Sequence, residues 1–172
     1  MNVYFNSEKV LYQEQQQFRQ AWLWVLLVFG TVMSLLPVVL VTMHDNQGLE
    51  TGLLVGACVL VLEACNIALF YTTKFETYVT INGIYYRWWP FYRKYTFISR
   101  TEIEQVSIER WTNTYWGFSK SEKYGRSHTV KGDMGILVIL KNGKRYYVGS
   151  QDVLLLLTAC ERAIKNQERF AV

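Results

Sequence analysis

The sequence predicts an α+β membrane protein: a two-helix transmembrane hairpin followed by a seven-stranded antiparallel barrel capped by a C-terminal helix. Three observations predict it. Two apolar runs, Trp22–Met43 and Leu53–Thr73, hold a single charge between them, Glu63, and each has about the 20 residues that a helix needs to cross a bilayer. Only a short polar link, His44-Asp45-Asn46-Gln47-Gly48, separates the two. Beyond Lys74 the pattern changes to short alternating segments punctuated by Asn-Gly pairs, as in hairpin-linked strands.

In chain order, residues 1–20 form a cytoplasmic N-terminal segment. Its Gln13-Glu14-Gln15-Gln16-Gln17 stretch holds good helix formers and no breaker, so the first membrane helix is expected to start early. The alternative is a short extended piece over Asn2–Val10. The spans fall at about 21–43 and 50–73, inside a hairpin of 21–73, and 74–172 form the second domain. The first run is longer than a signal-peptide core and ends in Val41-Thr42-Met43-His44, with no small-x-small site, so it is expected to be retained. Lys9 and Arg19 precede the pair, Lys74, Arg87, Arg93 and Lys94 follow it, and the link has no Lys or Arg. The positive-inside rule then places both termini of a multi-pass protein in the cytoplasm.

The second domain begins with Phe75–Ile81, which alternates and is rich in β-branched and aromatic residues; Asn82-Gly83 turns the chain and Ile84–Trp89 returns. Pro90 ends that strand, Tyr92–Ile98 reads as the next, and Ile103–Trp111 follows a turn at Ser99–Glu102. The stretch 112–135 is broken by Gly117, Gly125, Gly132 and Gly135, with strand character about Trp116–Ser119 and Arg126–Lys131. Ile136–Lys141 and Lys144–Gly149 are joined by Asn142-Gly143, a second type I′ signal. Ser150 is expected to cap a helix over Gln151–Arg169. Its buried stripe is Val153, Leu157, Cys160 and Ile164, which leaves Leu154 and Leu155 outside as a candidate partner surface.

Three pieces carry a family resemblance: Ile81-Asn82-Gly83-Ile84-Tyr85-Tyr86-Arg87-Trp88, the glycine-rich middle, and Lys141-Asn142-Gly143-Lys144 leading to Gly149-Ser150 and the last helix. With the hairpin before them, they resemble the bacterial membrane proteins that carry a pleckstrin-homology-like (PH-like) domain. The resemblance implies a seven-stranded PH-like barrel plugged at one end by the helix, in a protein of the bacterial inner (cytoplasmic) membrane. The family is similar in shape to lipid-binding PH domains. Phosphoinositide binders hold the head group with basic residues around a long first hairpin loop; here that loop is Asn82-Gly83, and phosphoinositide specificity is not carried over.

From Lys74 onward there are sixteen Lys and Arg against nine Asp and Glu. Beside an anionic leaflet each basic residue adds roughly 1 kcal/mol of attraction, so anionic membrane lipid is the expected partner. Nucleic acid is not, because the domain is tethered to a bilayer. A membrane protein partner or a homo-oligomer is the alternative, and no cofactor is expected.

Two groups of residues stand out. Arg87, Trp88, Trp89, Phe91, Arg93 and Lys94 alternate rings and cations about a strand turn, as an interfacial lipid anchor does; the alternative is ordinary alternation, with half the rings in the core. Glu63 lies in the middle of the second span, where an acid costs roughly 2.5–3.5 kcal/mol on insertion scales. Gly52, Gly56, Val59, Glu63, Asn66 and Phe70 share a helical face with a G-x-x-x-G. That face is read as an intramembrane packing seam in which Glu63 bonds Thr31 or Ser34. A self-association seam or an ion site are its alternatives, and a Glu63/Asn66 contact would suit an accessory subunit of a transporter or enzyme complex.

The loop Ser119–Lys131 carries Lys120, Lys123, Arg126, His128 and Lys131 and suits a phosphate group, or is a solvated basic loop. No catalytic residue and no metal site is expected: His44 and His128 fall on opposite sides of the membrane, and no Ser–His–acid or phosphate-cradling glycine motif occurs. Cys58, Cys65 and Cys160 form no disulfide framework. The function expected is a membrane scaffold whose basic domain engages anionic lipid or a membrane partner.

Overall fold

The computed structural model describes residues 9–44, 49–112, 117–130 and 132–168. Expectations for residues 2–8, the link 45–48, Trp116, Lys131 and Arg169 lie outside them. The chain forms two units: the hairpin Phe18–Thr73, and a domain built from Lys74 onward together with the strand Val10–Gln17.

In the hairpin, helices α1 (Ala21–His44) and α2 (Leu49–Thr72) meet along one seam. Leu27, Thr31, Ser34, Leu35, Val38 and Thr42 are half-buried on α1, at the three-and-four spacing of packed helices. On α2 they are Gly52, Gly56, Val59, Glu63, Ile67 and Phe70. A Cβ at Gly52 would overlap the Thr42 side chain, and one at Gly56 would sit 3.4 Å from Val38. The G-x-x-x-G therefore brings the two helices of one chain together. At the seam's end Arg19 lies over the Tyr71 ring at 4.4 Å and Trp24 meets Tyr71 edge-on.

The domain holds nine strands among the described residues, in two sheets. β1 (Val10–Gln17), β2 (Lys74–Thr80), β3 (Gly83–Trp89) and β4 (Thr96–Ser99) make an antiparallel sheet in that order. β5 (Ile103–Arg110), β6 (Gly117–Ser121), β7 (Gly125–Thr129), β8 (Met134–Leu140) and β9 (Arg145–Gly149) make the other, ordered β5-β8-β9-β7-β6. α3 (Val153–Glu168) packs on both. Three features of the expected barrel are thus corrected. It is not closed, since each sheet keeps two edges; it is not wholly antiparallel, since β7 and β9 run parallel; and seven strands become nine.

The strand that no expected segment covers is β1, where a helix was expected. Its pattern is concealed because both faces are polar: Gln13 and Gln15 face out while Glu14 and Gln16 turn in. The inward pair bonds the corner before α3. Glu14 accepts from Ser150 Oγ at 2.7 Å and the Gln151 N–H at 2.8 Å, and Gln16 Nε2 donates to the Gly149 carbonyl at 2.7 Å. These tertiary bonds outweigh the weak helix preference of glutamine.

Both Asn-Gly hairpins form, with turns other than type I′. No described non-glycine residue has a positive φ, and type I′ requires it at both central positions. In the second, the Gly143 N–H bonds the Leu140 carbonyl and only Gly143 is left-handed, φ +77°, as in a type I turn followed by a glycine bulge. α3 begins at Val153, where Asp152 Oδ1 accepts the Leu155 N–H, so Asp152 rather than Ser150 is its cap. Its buried stripe is Leu156, Ala159, Cys160 and Ala163; Val153, Leu157 and Ile164 flank it half-buried, and Leu154 and Leu155 are exposed.

Phe75, Val79, Ile84, Tyr86, Trp88 and Ile98 of the first sheet, with Ile136, Val138 and Val148 of the second, are the buried core. The unbroken apolar run Ile136–Leu140 has no alternation because both faces of β8 are covered. Leu137 points into a separate cluster with Trp111, Tyr124 and Tyr147.

Candidate functional site

Along β3 successive side chains go to opposite faces, and this divides the expected lipid anchor. Trp88 turns inward, 5% exposed, and its Nε1 donates to His128 Nδ1 at 2.9 Å. It belongs to the core and cannot insert into a membrane, which corrects its place in the anchor. Arg87 turns outward and is pinned: its Nε bonds Glu76 Oε2 at 2.6 Å and its guanidinium lies over the Tyr95 ring at 4.2 Å. Trp89 and Pro90 are half-buried. Phe91, Tyr92, Arg93 and Lys94 form the exposed tip.

Glu76 is buried and fully engaged, by Lys74 Nζ at 2.8 Å, Arg87 and the Tyr95 hydroxyl at 2.6 Å. Burial raises the pKa of a carboxyl, but the Lys74, Tyr95 and Arg87 donors outweigh it and hold Glu76 below its ordinary value.

Beside β3 opens a cleft of about 240 Å³ lined by its inward residues Tyr86 and Trp88 and its outward Arg87, together with Tyr92, Thr96, Phe118, Arg126 and His128. His128, 4% exposed, stacks on Phe75 at 5.6 Å and contacts Tyr86 and Phe118 at 4.6 and 5.3 Å. The indole N–H only donates, so Nδ1 must carry the lone pair and Nε2 the proton. Among the described residues that Nε2–H meets no hydrogen-bond acceptor, and the nitrogen is itself buried. Burial, and secondarily the charge of Arg126, push the imidazole pKa down to about 4, so the ring is a neutral donor at neutral pH.

Next to this cleft runs a basic groove of about 320 Å³ lined by Lys120, Gly125, Arg126, Lys144, Arg145 and Tyr146. Arg126 belongs to both. Lys120 and Arg126 are direct cross-strand partners, an arrangement that is destabilising for like charges. All four cations are exposed, no acid lines the groove, and none of the four forms an ion pair among the described residues. Two come from the expected basic loop. The other two, Lys144 and Arg145, arrive through the parallel β7–β9 pairing, and a Cβ at Gly125 would strike the Arg145 carbonyl. Of the rest of that loop, Lys123 lies 4.0 Å from Glu109.

In the hairpin, Thr31 Oγ1 lies 3.4 Å from Glu63 Oε2, while Ser34 bonds the Thr31 carbonyl instead. Asn66 does not share the Glu63 face. Ile67, four residues on from Glu63, takes the inward place, and Asn66 is exposed on the outer side of α2. Spacings of three and four both continue a helical stripe, so the sequence pattern does not distinguish them.

Among the described residues no group of three or more His, Cys, Asp or Glu is placed to hold a metal. Burial pushes the Cys160 thiol up to about 12, far from thiolate chemistry. No protein-family model, curated protein or solved structure matches the chain.

Proposed function

We propose that this chain is an integral membrane protein whose hairpin crosses the bilayer and whose two-sheet domain engages anionic headgroups at the cytoplasmic face. The groove of Lys120, Arg126, Lys144 and Arg145 carries the reading. Four unpaired cations, two of them directly opposed across a ladder, destabilise the free domain and are relieved when an anion lies among them. Two further observations support it. α1 and α2 are each about 36 Å long and keep their apolar outer faces exposed, which suits hydrocarbon rather than water. Gln17 and Lys74 are cross-strand partners, so the chain leaves and re-enters the domain at one place, consistent with both hairpin ends on one side of the membrane.

The test uses the full-length protein in nanodiscs of phosphatidylcholine, with and without phosphatidylglycerol, read by hydrogen exchange. Phosphatidylglycerol should slow exchange in β6, β7 and β9, and high salt or Lys144→Glu with Arg145→Glu should abolish the effect. Equal exchange in the two lipids contradicts the reading. A second reading, an accessory subunit, now rests on Asn66 alone, a polar amide exposed on the outer side of α2 within the span. In its favour would be unchanged exchange together with a partner lost on Asn66→Leu.

A further inference from the structure

We propose that the turn between β3 and β4 is a membrane-interface anchor, whose Phe91 and Tyr92 rings insert among the lipid headgroups with Arg93 and Lys94 beside them. This rests on the membrane-spanning reading of the hairpin above and adds a lipid contact separate from the basic groove.

Three observations carry it, and position comes first. Lys74 pairs with Gln17 on one side and with Trp89 on the other. The two strands that join the hairpin and the strand that enters the turn therefore reach the same end of the sheet. Cross-strand Cα atoms are about 5 Å apart and two residues extend about 7 Å, so Phe91 lies within roughly 12 Å of Lys74. Only Thr73 separates α2 from β2, and its N–H still bonds the Leu69 carbonyl at 2.9 Å. Chain connectivity alone thus keeps the turn within reach of the headgroups where α2 ends. Tyr71, exposed in the last turn of α2, stands where a membrane helix carries its aromatic belt. Exposure comes second. Single exposed apolar residues are ordinary, but Phe91 and Tyr92 are adjacent large rings, 61% and 57% exposed. Turns favour small polar residues, and two other hairpins of the domain turn on Asn82-Gly83 and Asn142-Gly143. The Tyr92 N–H donates to the Trp88 carbonyl at 2.7 Å, so the main chain of the turn is fixed while its rings stay outside. Charge comes third. Arg93 and Lys94 are exposed and form no ion pair among the described residues. Aromatic rings flanked by unpaired cations match the polarity profile of an anionic leaflet, apolar below and negative at the surface.

The test places one nitroxide on the full-length protein, with Cys58, Cys65 and Cys160 replaced by Ala, in nanodiscs of phosphatidylcholine with and without phosphatidylglycerol. Three positions carry the label in turn. Phe91→Cys reads the anchor and Val61→Cys, exposed in the middle of α2, reads the span. Thr101→Cys is exposed beyond the far end of the sheet, where Ser99 pairs with Gly83, about 20 Å away along the strands. Electron paramagnetic resonance power saturation then compares collision with oxygen, which concentrates in lipid, against collision with a water-soluble nickel chelate. The expected result is oxygen-dominated collision at Phe91→Cys and Val61→Cys and nickel-dominated collision at Thr101→Cys. Phosphatidylglycerol should raise the oxygen-to-nickel ratio at Phe91→Cys, and Tyr92→Ser, at an exposed position, should lower it. A Phe91→Cys label in water in both lipids, or one that Tyr92→Ser does not shift, overturns the proposal. A label shielded from oxygen and nickel alike marks a protein contact and overturns it too. With Val61→Cys in lipid, either result leaves the spanning reading intact, whereas Val61→Cys in water sinks that reading and the anchor with it. Immersion of Phe91→Cys without lipid-dependent protection of β6, β7 and β9 sinks the headgroup reading of the groove and leaves the anchor.

Discussion

Glu76 and His128 are both buried and ionisable, and they meet adjacent rungs of one ladder, Glu76 as a member of its rung and His128, from β7, through its bond to Trp88. Phe75 pairs with Trp88 and Glu76 with Arg87 across β2 and β3. The first rung points inward to His128, the second outward. On the outer face both carboxylate oxygens are matched, with Lys74, Arg87 and Tyr95 closing around them. On the inner face Trp88 satisfies one edge of the imidazole and leaves the other unmatched. The difference teaches what burial asks of a polar group. A closed network lets the carboxylate stay charged, whereas a half-closed one keeps the imidazole neutral.

The largest effect that bears on this contrast is at Glu76. Glu76→Ala strips a partly buried ion cluster of its only anion and should cost about 3 kcal/mol, the lower end for a broken buried pair because Lys74 and Arg87 keep some solvent contact. Thermal unfolding followed by near-ultraviolet circular dichroism measures it. A loss under about 1 kcal/mol would remove the structural role assigned to the cluster.

A comparable but pH-dependent effect belongs to His128. Its folded pKa is depressed to about 4 from 6.5, so the unfolded chain binds the extra proton. Stability is then complete above pH 6.5 and falls as pH drops toward 4, by at most on the order of 3 kcal/mol. Glu76, with a lowered pKa, keeps its contribution above its ordinary 4.5 and loses it only at more acid pH. Loss between pH 6.5 and 5 therefore reports His128, and His128→Asn should flatten that part of the profile. A profile identical in wild type and variant would contradict a buried neutral imidazole.

The smallest effect sharpens the functional side. Lys120→Glu turns a like-charge cross-strand pair with Arg126 into an attractive one and should raise stability by about 0.5 kcal/mol. The same change should weaken the protection that phosphatidylglycerol gives to β6 and β7. A variant both less stable and equally protected would show that the groove is not an unrelieved charge cluster.

Much of this was legible in the chain. The expected spans 21–43 and 50–73 match α1 and α2 to within a residue, and the strand-like segments after Lys74, one more than the seven strands expected, overlap β2 to β9, with Tyr92–Tyr95 lying outside β4. The Gly52–Gly56 seam and the Thr31–Glu63 contact followed from helical spacing. What stayed hidden has physical causes. β1 alternates polar with polar, so no hydrophobic period reveals it, and its pairing with β2 spans an intervening hairpin. In Arg87-Trp88-Trp89 the outward and inward residues look equally suited to an interface, and only the sheet's curvature around a core decides that Trp88 goes in. The groove joins Lys120 and Arg126 to Lys144 and Arg145 through a parallel pairing that no local turn signal announces. His128 is a lone histidine, and nothing nearby in sequence marks Trp88 as its partner.

The most direct test of the account compares the two arginines. In full-length protein labelled with ¹⁵N-arginine and placed in phosphatidylglycerol bilayers, solid-state dephasing between guanidinium nitrogen and lipid phosphorus reads proximity. The account predicts dephasing that falls in Arg126→Gln, falls further when Arg145→Gln is added, and is unaffected by Arg87→Gln, because Glu76 already holds Arg87. Dephasing undiminished by the loss of Arg126 and Arg145, or none at all, would contradict it.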